Sequence, residues 1–250
     1  DVNGDGVDDL LIGARLYKVG QDNEGAAFCY HGVDGGLPGT TPDWSAAGGQ
    51  ARASLGASVA AAGDLNGDGY GDIIVGAPYY DGQATDDGAA LAFYGSAAGL
   101  GSAAGWVYAG GQAGAQLGAS VGGAGDVNGD GYDDVIVGAP LYDGSLVDEG
   151  AALVFYGSAT GLGAAPAWIA HSRQSGSGFG LAVGTAGDMN GDGYADVLIG
   201  AWLYTRDQSK EGAAFVYRGS PAGLESTAHW RAEGNKAETQ RALRMDRHKW

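Results

Sequence analysis

Cysteine is almost absent. A single Cys29 in 250 residues cannot close an internal disulfide, and no cysteine cluster is available for zinc. Basic residues are also scarce: Lys and Arg number 13 against 30 Asp and Glu, for a formal charge of -17. So acidic a surface repels phosphate backbones and anionic membranes alike, which argues against a nucleic-acid partner. The prolines, six over the whole length, exclude a proline-rich linker. No apolar run is long enough to span a bilayer as a helix, so no membrane insertion is expected of this segment. The chain opens on Asp1 without an initiator methionine or a leader-like stretch. Any targeting segment is therefore expected to have been removed or to lie outside it.

What is abundant is glycine, 50 residues of the 250, against a usual share of about 7%. The glycines keep no G-X-Y period, which excludes collagen. Thirteen tyrosines and six tryptophans exclude a disordered chain. Many glycines with many aromatics point to short strands joined by tight turns.

The sequence repeats. DVNGDGVDDLLIGA at Asp1 returns as DLNGDGYGDIIVGA at Asp64, DVNGDGYDDVIVGA at Asp126 and DMNGDGYADVLIGA at Asp188, at spacings of 63, 62 and 62 residues. The rest of the unit stays in register, with Gly25, Gly88, Gly150 and Gly212 opening a GAA segment and Trp44, Trp106, Trp168 and Trp230 following it. Each unit reads as four short strands: 55–63, rich in small residues, the apolar run 72–77, the segment 88–95 and the stretch around Trp106. The apolar run is the kind buried on both faces. About 62 residues for four antiparallel strands is the size of one propeller blade, so the predicted fold is all-β, a β-propeller of four-stranded antiparallel blades. The units fall near 1–50, 51–112, 113–174 and 175–234.

In DLNGDGYGD the oxygen-bearing side chains fall at positions 1, 3, 5 and 9, with glycines at 4 and 6 to let the backbone fold tightly. That turn aims the carbonyl of position 7 inward. The predicted ligand sets are Asp1, Asn3, Asp5, Val7 and Asp9; Asp64, Asn66, Asp68, Tyr70 and Asp72; Asp126, Asn128, Asp130, Tyr132 and Asp134; and Asp188, Asn190, Asp192, Tyr194 and Asp196. An all-oxygen cage with three carboxylates suits Ca²⁺, up to four ions in all, better than Mg²⁺, which resists full dehydration. Asp-Gly and Asn-Gly pairs also make simple hairpin turns. Four loops that keep every ligand position favour the cation. At three aspartates each, these loops account for twelve of the 30 acidic residues.

With these residues in place, the chain resembles the FG-GAP repeat, the blade unit of integrin alpha-chain propellers. LGASV followed by GDLNGDGYGDIIVGAP carries the pattern, Phe179-Gly180 and the Gly-Ala-Pro at 76–78 and 138–140 carry the name motif, and Arg15 and Trp202 replace the proline in the first and fourth copies. The resemblance covers residues 1 to about 234. It implies Ca²⁺ on one face of the disc, a protein or glycan ligand on the opposite face, and no catalytic residue. It also implies an extracellular, secreted or cell-surface adhesion module. Family propellers commonly close with about seven blades, so a fragment is expected, its first blade lacking the innermost strand. Residues 235–250 form an atypical basic tail with six of the 13 basic residues in 231–250, read as a foreign tail or a helical cap.

Other features are weaker. Gly118-Ala-Ser120-Val-Gly122 matches a nucleophile elbow, but Ser120 lies in a repeated strand, without the strand-turn-helix context that chemistry needs, and is read as structural. Cys29 aligns with Ala92, Val154 and Val216 and is read as buried. His31, His171, His229 and His248 make no metal spacing, and His31 is expected to face solvent or a neighbouring blade. The tryptophans are expected to pack between blades. The equal-length loops 14–24, 77–87, 139–149 and 201–211 are the natural place for partner contacts, with Tyr80, Asp81, Asp143, Tyr204 and Arg206 as exposed candidates. An alternative reading is the propeller of a secreted polysaccharide-acting enzyme, although no constellation is seen to break the repeat symmetry. A second is a lectin using the repeated Gln50, Gln112 and Gln174.

Overall fold

The computed structural model describes residues 1–234, and the predicted tail 235–250 lies outside the described residues. Fifteen strands and no helix make up that length. They form four antiparallel sheets in chain order. Blade 1 has three strands, β1 (Leu10–Ala14), β2 (Ala26–Tyr30) and β3 (Trp44–Ala47). Blade 2 has four, β4 (Ser58–Gly63), β5 (Asp72–Ala77), β6 (Ala89–Phe93) and β7 (Trp106–Ala109). Blade 3 runs through β8 (Ser120–Gly125), β9 (Asp134–Ala139), β10 (Ala151–Phe155) and β11 (Trp168–His171). Blade 4 comprises β12 (Phe179–Gly187), β13 (Asp196–Ala201), β14 (Ala213–Tyr217) and β15 (Trp230–Glu233). The all-β propeller reading and the four-strand reading of the later units hold. The first sheet lacks the strand that precedes the acidic loop elsewhere.

The core lies between the sheets and not within them. One cluster joins Cys29 and Trp44 of blade 1 to Ile73, Val75 and Phe93 of blade 2. A second joins Ile74 and Trp106 of blade 2 to Val135, Val137 and Phe155 of blade 3. A third joins Ile136 and Val154 of blade 3 to Val197, Ile199 and Phe215 of blade 4. Alternate residues of β5 and β9 therefore face different neighbours, and both strands are buried throughout. That two-sided burial is why the sequence shows an unbroken apolar run there instead of polar alternation.

Small residues let the sheets approach. The inner strands β4, β8 and β12 lie side by side, tied by the Val121 amide donating to Ser58 Oγ (3.0 Å) and the Val183 amide donating to Ser120 Oγ (3.1 Å). Ser120 is thus structural, as read. Gly118 has φ +84°, and a Cβ there would lie 2.2 Å from the Ala89 carbonyl oxygen, so no other residue fits. Three of the four repeat tryptophans pack between blades, and Trp230 is 49% exposed. Trp44, Trp106 and Trp168 meet Phe93, Phe155 and Tyr217 edge-on, each at 4.8 Å. Their indole N–H groups donate to the carbonyls of Gly101, Gly163 and Glu225 on the next blade.

Candidate functional site

The acidic loops of blades 2–4 join the inner strand to the second strand, that of blade 1 leads into β1, and all four are wound the same way. In the loop after β4, the Asp64 carboxylate accepts the amides of Gly67 (2.7 Å) and Asp68 (3.1 Å) on Oδ1 and of Gly69 (2.8 Å) on Oδ2. Asn66 Oδ1 accepts the Asp68 amide, its Nδ2 donates to Asp68 Oδ2, and Asp68 Oδ1 accepts the Tyr70 amide, all at 3.0 Å. Asp1, Asn3, Asp5 and Val7 repeat the pattern. So do Asp126, Asn128, Asp130 and Tyr132, and Asp188, Asn190, Asp192 and Tyr194. Glycines at positions 4 and 6 have positive φ in every copy, which is what bends the backbone over its own first carboxylate.

Position 9 is turned inward. Asp72 accepts the Leu65 and Gly95 amides at 2.8 Å each, and Asp134 and Asp196 do the same with Val127 and Gly157, and with Met189 and Gly219. Asp9 receives the Val2 and Gly32 amides. Asp72, Asp134 and Asp196 are 1%, 0% and 0% exposed. Burial pushes the carboxyl of Asp72 up to about 6 and that of Asp134 up to about 7, against the pull of their amide donors. At the exposed rim the opposite holds: the amides of Val7 and Gly193 hold Asp5 and Asp188 below the ordinary carboxylate range.

The structure therefore brings positions 1, 3 and 5 together at the loop mouth and seats position 9 beneath them, facing backbone amides. Among the described residues no three acid, histidine or cysteine side chains converge as a ready metal cluster. Position 3 is an amide, and the position-9 oxygens are already occupied by N–H donors. The donor chemistry still fits a hard cation, being all oxygen and largely anionic.

The loops are also linked to one another. The amides of Gly71, Asp133 and Ala195 donate to the carbonyls of Asp1, Asp64 and Asp126 in the preceding loop, at 2.9, 3.1 and 2.9 Å. The Tyr70, Tyr132 and Tyr194 rings lie over Gly4, Gly67 and Gly129, where a Cβ would come within 2.7, 2.7 and 2.4 Å. The first three loops are thus braced by the next blade.

At the other end of the second strand, the variable loops hold a feature the sequence reading missed. The acid just before the second repeat glycine, Glu24, Asp87, Glu149 or Glu211, is 3%, 0%, 1% and 1% exposed. Asp87 accepts the amides of Gly82 (2.8 Å), Gln83 (3.0 Å), Ala84 (3.3 Å) and Gly111 (2.9 Å). Glu24, Glu149 and Glu211 likewise gather loop amides. An acid at one fixed place in every copy was the available signal. Two predicted contact residues need correcting: Tyr80 packs against the core between blades 1 and 2, and Tyr204 packs on Phe215 at 5.3 Å. Asp81 and Asp143 are exposed and cap their own loops through the amides of Asp86 and Asp148. Arg206 is exposed but pairs with Glu233 at 3.1 Å.

The remaining candidates fall into the scaffold. Gln50 and Gln112 latch onto the backbone of Asp81 and Asp143 with both amide atoms, and Gln174 onto Thr205, so all three tie neighbouring blades together. Cys29 is 1% exposed, and burial pushes its thiol up to about 11. His31 faces Gly99 of blade 2.

Sheets stacked face to face through inter-sheet cores, with one acidic loop per sheet, define a β-propeller built from repeated blades. The FG-GAP repeat family model matches residues 55–93, 117–155 and 179–217. The chain is 34% identical over 219 residues to integrin alpha pat-2 of Caenorhabditis briggsae, covering 81% of the chain and 17% of that protein. It is 35% identical over 139 residues to integrin alpha-6 of Gallus gallus, covering 55% and 12%, and 38% identical over 145 residues to integrin alpha-IIb of Mus musculus, covering 56% and 14%. The chain is thus an FG-GAP repeat protein of the integrin-alpha-like kind, and it spans less than a fifth of the length of these relatives. The first unit falls outside the family match yet folds as a blade.

Proposed function

We propose that this chain is a non-catalytic recognition segment of an extracellular adhesion protein, secreted or at the cell surface, whose blades are stabilised by Ca²⁺ in the acidic loops. The observation that carries the reading is the identical winding of four loops, each presenting two aspartates and an asparagine at its mouth over a third, inward-facing carboxylate. Bound Ca²⁺ supplies concentrated positive charge to these carboxylates. Asp68 and Asp130, at the exposed rim, would hold the ion with Asp64, Asn66, Asp126 and Asn128, while Asp72 and Asp134 anchor the loop base. Binding to the folded form alone adds stability that grows with ion concentration. Loops with affinities on the order of 10⁻⁴ to 10⁻³ M, as in extracellular modules, fill outside the cell and stay empty in the cytosol.

The partner is a protein that meets the end of the blades opposite the acidic loops, where residues 14–24, 77–87, 139–149 and 201–211 are held rigid by their buried acids. The integrin relatives support a surface recognition role. Thermal unfolding in Ca²⁺, Mg²⁺ and EDTA tests the metal reading. A rise in Tm with Ca²⁺ alone, weakened in Asp68→Ala and Asp130→Ala, is expected. Equal melting in the three buffers would show that the loops are turns only.

A further inference from the structure

An Asn-Gly pair stands at the mouth of every acidic loop: Asn3-Gly4, Asn66-Gly67, Asn128-Gly129 and Asn190-Gly191. Such a pair is open to spontaneous deamidation, because glycine has no side chain to shield its own amide nitrogen. That nitrogen attacks the asparagine Cγ. The N–Cγ bond forms, the Cγ–Nδ2 bond breaks, and ammonia leaves with the proton of the glycine amide. Water then opens the cyclic succinimide at either carbonyl, giving aspartate or isoaspartate, and nothing is oxidised or reduced.

The folded loop holds both reacting groups back. The amides of Gly4, Gly67, Gly129 and Gly191 donate to the carboxylates of Asp1, Asp64, Asp126 and Asp188 at 2.7, 2.7, 2.6 and 2.7 Å. Each asparagine side chain is folded onto the aspartate two residues on, its Nδ2 on the carboxylate and its Oδ1 on the amide. The attack therefore needs the loop to open. With the same Asn-Gly-Asp-Gly sequence in every copy, the ease of local opening sets the rate.

Opening is not equally easy in the four loops. Besides the bonds to the carbonyls of Asp1, Asp64 and Asp126, the next blade donates the amides of Ser96, Ser158 and Ser220 to the carbonyls of Val2, Leu65 and Val127, each at 3.1 Å. Those three side chains are 5%, 0% and 0% exposed, and a tyrosine ring lies against Gly4, Gly67 and Gly129. Among the described residues nothing takes these parts at the fourth loop. The carbonyls of Asp188 and Met189 receive no amide from another blade, a Cβ at Gly191 would meet nothing within 4 Å, and Met189 is 63% exposed. Asn190 is itself exposed, whereas Asn3, Asn66 and Asn128 are half-buried.

We propose that Asn190 is the deamidation site of this chain, modified about tenfold or more faster than Asn66 and Asn128, as the loss of two hydrogen bonds and a ring contact implies. The product replaces a neutral amide with a carboxylate between Asp188 and Asp192. Isoaspartate also adds a methylene to the main chain inside the turn that Asp188 closes. The inference holds whether or not the loops bind a cation.

The test is incubation of the 250-residue chain in mildly alkaline buffer with EDTA, native and in urea, followed by proteolysis and mass spectrometry that separates asparagine, aspartate and isoaspartate peptides. The expected result is a lead of about tenfold or more for Asn190 in the native protein and similar rates at all four sites in urea. Tyr132→Ala, which takes the ring from Gly67, should speed modification of Asn66 and leave Asn190 as it was, while Tyr132→Phe changes neither. Native rates that are equal at Asn66, Asn128 and Asn190 overturn the proposal, and so does the absence of any native modification. A lead for Asn190 that persists in urea also overturns it, because the cause would then be sequence and not bracing. If Tyr132→Ala fails to fold, the ranking within the unaltered chain still decides.

Discussion

Asp87 shows how much a single buried residue sets in this fold. Its carboxylate is wholly buried yet lies below the ordinary range, because four amide donors outweigh the burial that would raise it. A carboxylate held low contributes stability that is present above the unfolded value and lost as pH falls through the folded one. Asp87→Asn, which leaves amides facing an NH₂ group, is expected to cost about 2 kcal/mol or more at neutral pH. The difference from wild type should shrink as pH falls below about 4. Urea denaturation of both proteins between neutral and acid pH checks this, and a pH-independent difference would mean the residue acts by shape alone. At this scale the sequence spoke clearly where a residue repeats. Cys29 among Ala92, Val154 and Val216 reads as buried, and it is. It spoke poorly where residues depart from the repeat, as at His171, Ser172, Arg173 and Arg231, which line one cavity between blades 3 and 4. Nothing in the chain order shows that β15 brings Arg231 across from blade 3.

Among the elements, the outer strands test what the inter-blade tryptophan latch is worth. Trp106 is 9% exposed, meets Phe155 edge-on and donates to the Gly163 carbonyl at 2.9 Å. Trp106→Ala is expected to cost about 3–5 kcal/mol, and Trp106→Phe at least about 1 kcal/mol for the lost hydrogen bond. Trp230 holds the same place in β15 but is 49% exposed, so Trp230→Phe should stay within about 0.5 kcal/mol. Equal costs at the two positions, measured by chemical denaturation, would remove the latch from the account. The strands themselves were legible because each is short, apolar and punctuated by glycine at a fixed interval. The starts of the inner strands were less so. Residues 55–57 read as strand, but Leu55 makes only an isolated bridge to Gly25, and β4 begins at Ser58. The positive φ of Gly56 turns the chain there, and in blade 4 the strand starts earlier, at Phe179, across a bulge.

For the molecule as a whole, the position of the cores matters more than their size. Every apolar cluster spans two blades, so no blade carries a core of its own, and stability is set by nearest-neighbour interfaces as in other repeat proteins. The equivalent second strands sit in different surroundings. Ile73 and Val75 of β5, and Val135 and Val137 of β9, are at most 3% exposed, whereas Leu10 and Ile12 of β1 are 48% and 41% exposed. β1 also pairs on one side only, with β2, while β5 and β9 pair on both. Native-state hydrogen exchange should therefore be slowest in β5 and β9. β13 should be intermediate, since it pairs on both sides but leaves Leu198 half-buried. β1 should be fastest, although its apolar sequence LLIGA matches the others. Local opening free energy follows buried apolar contact and not strand composition. Protection of β1 equal to that of β9 would mean each sheet is held by its own hydrogen bonds. Ordered protection would mean that neighbouring blades stabilise one another, and that adding Ca²⁺ to a loop braced by the next blade should slow exchange on both sides of that interface.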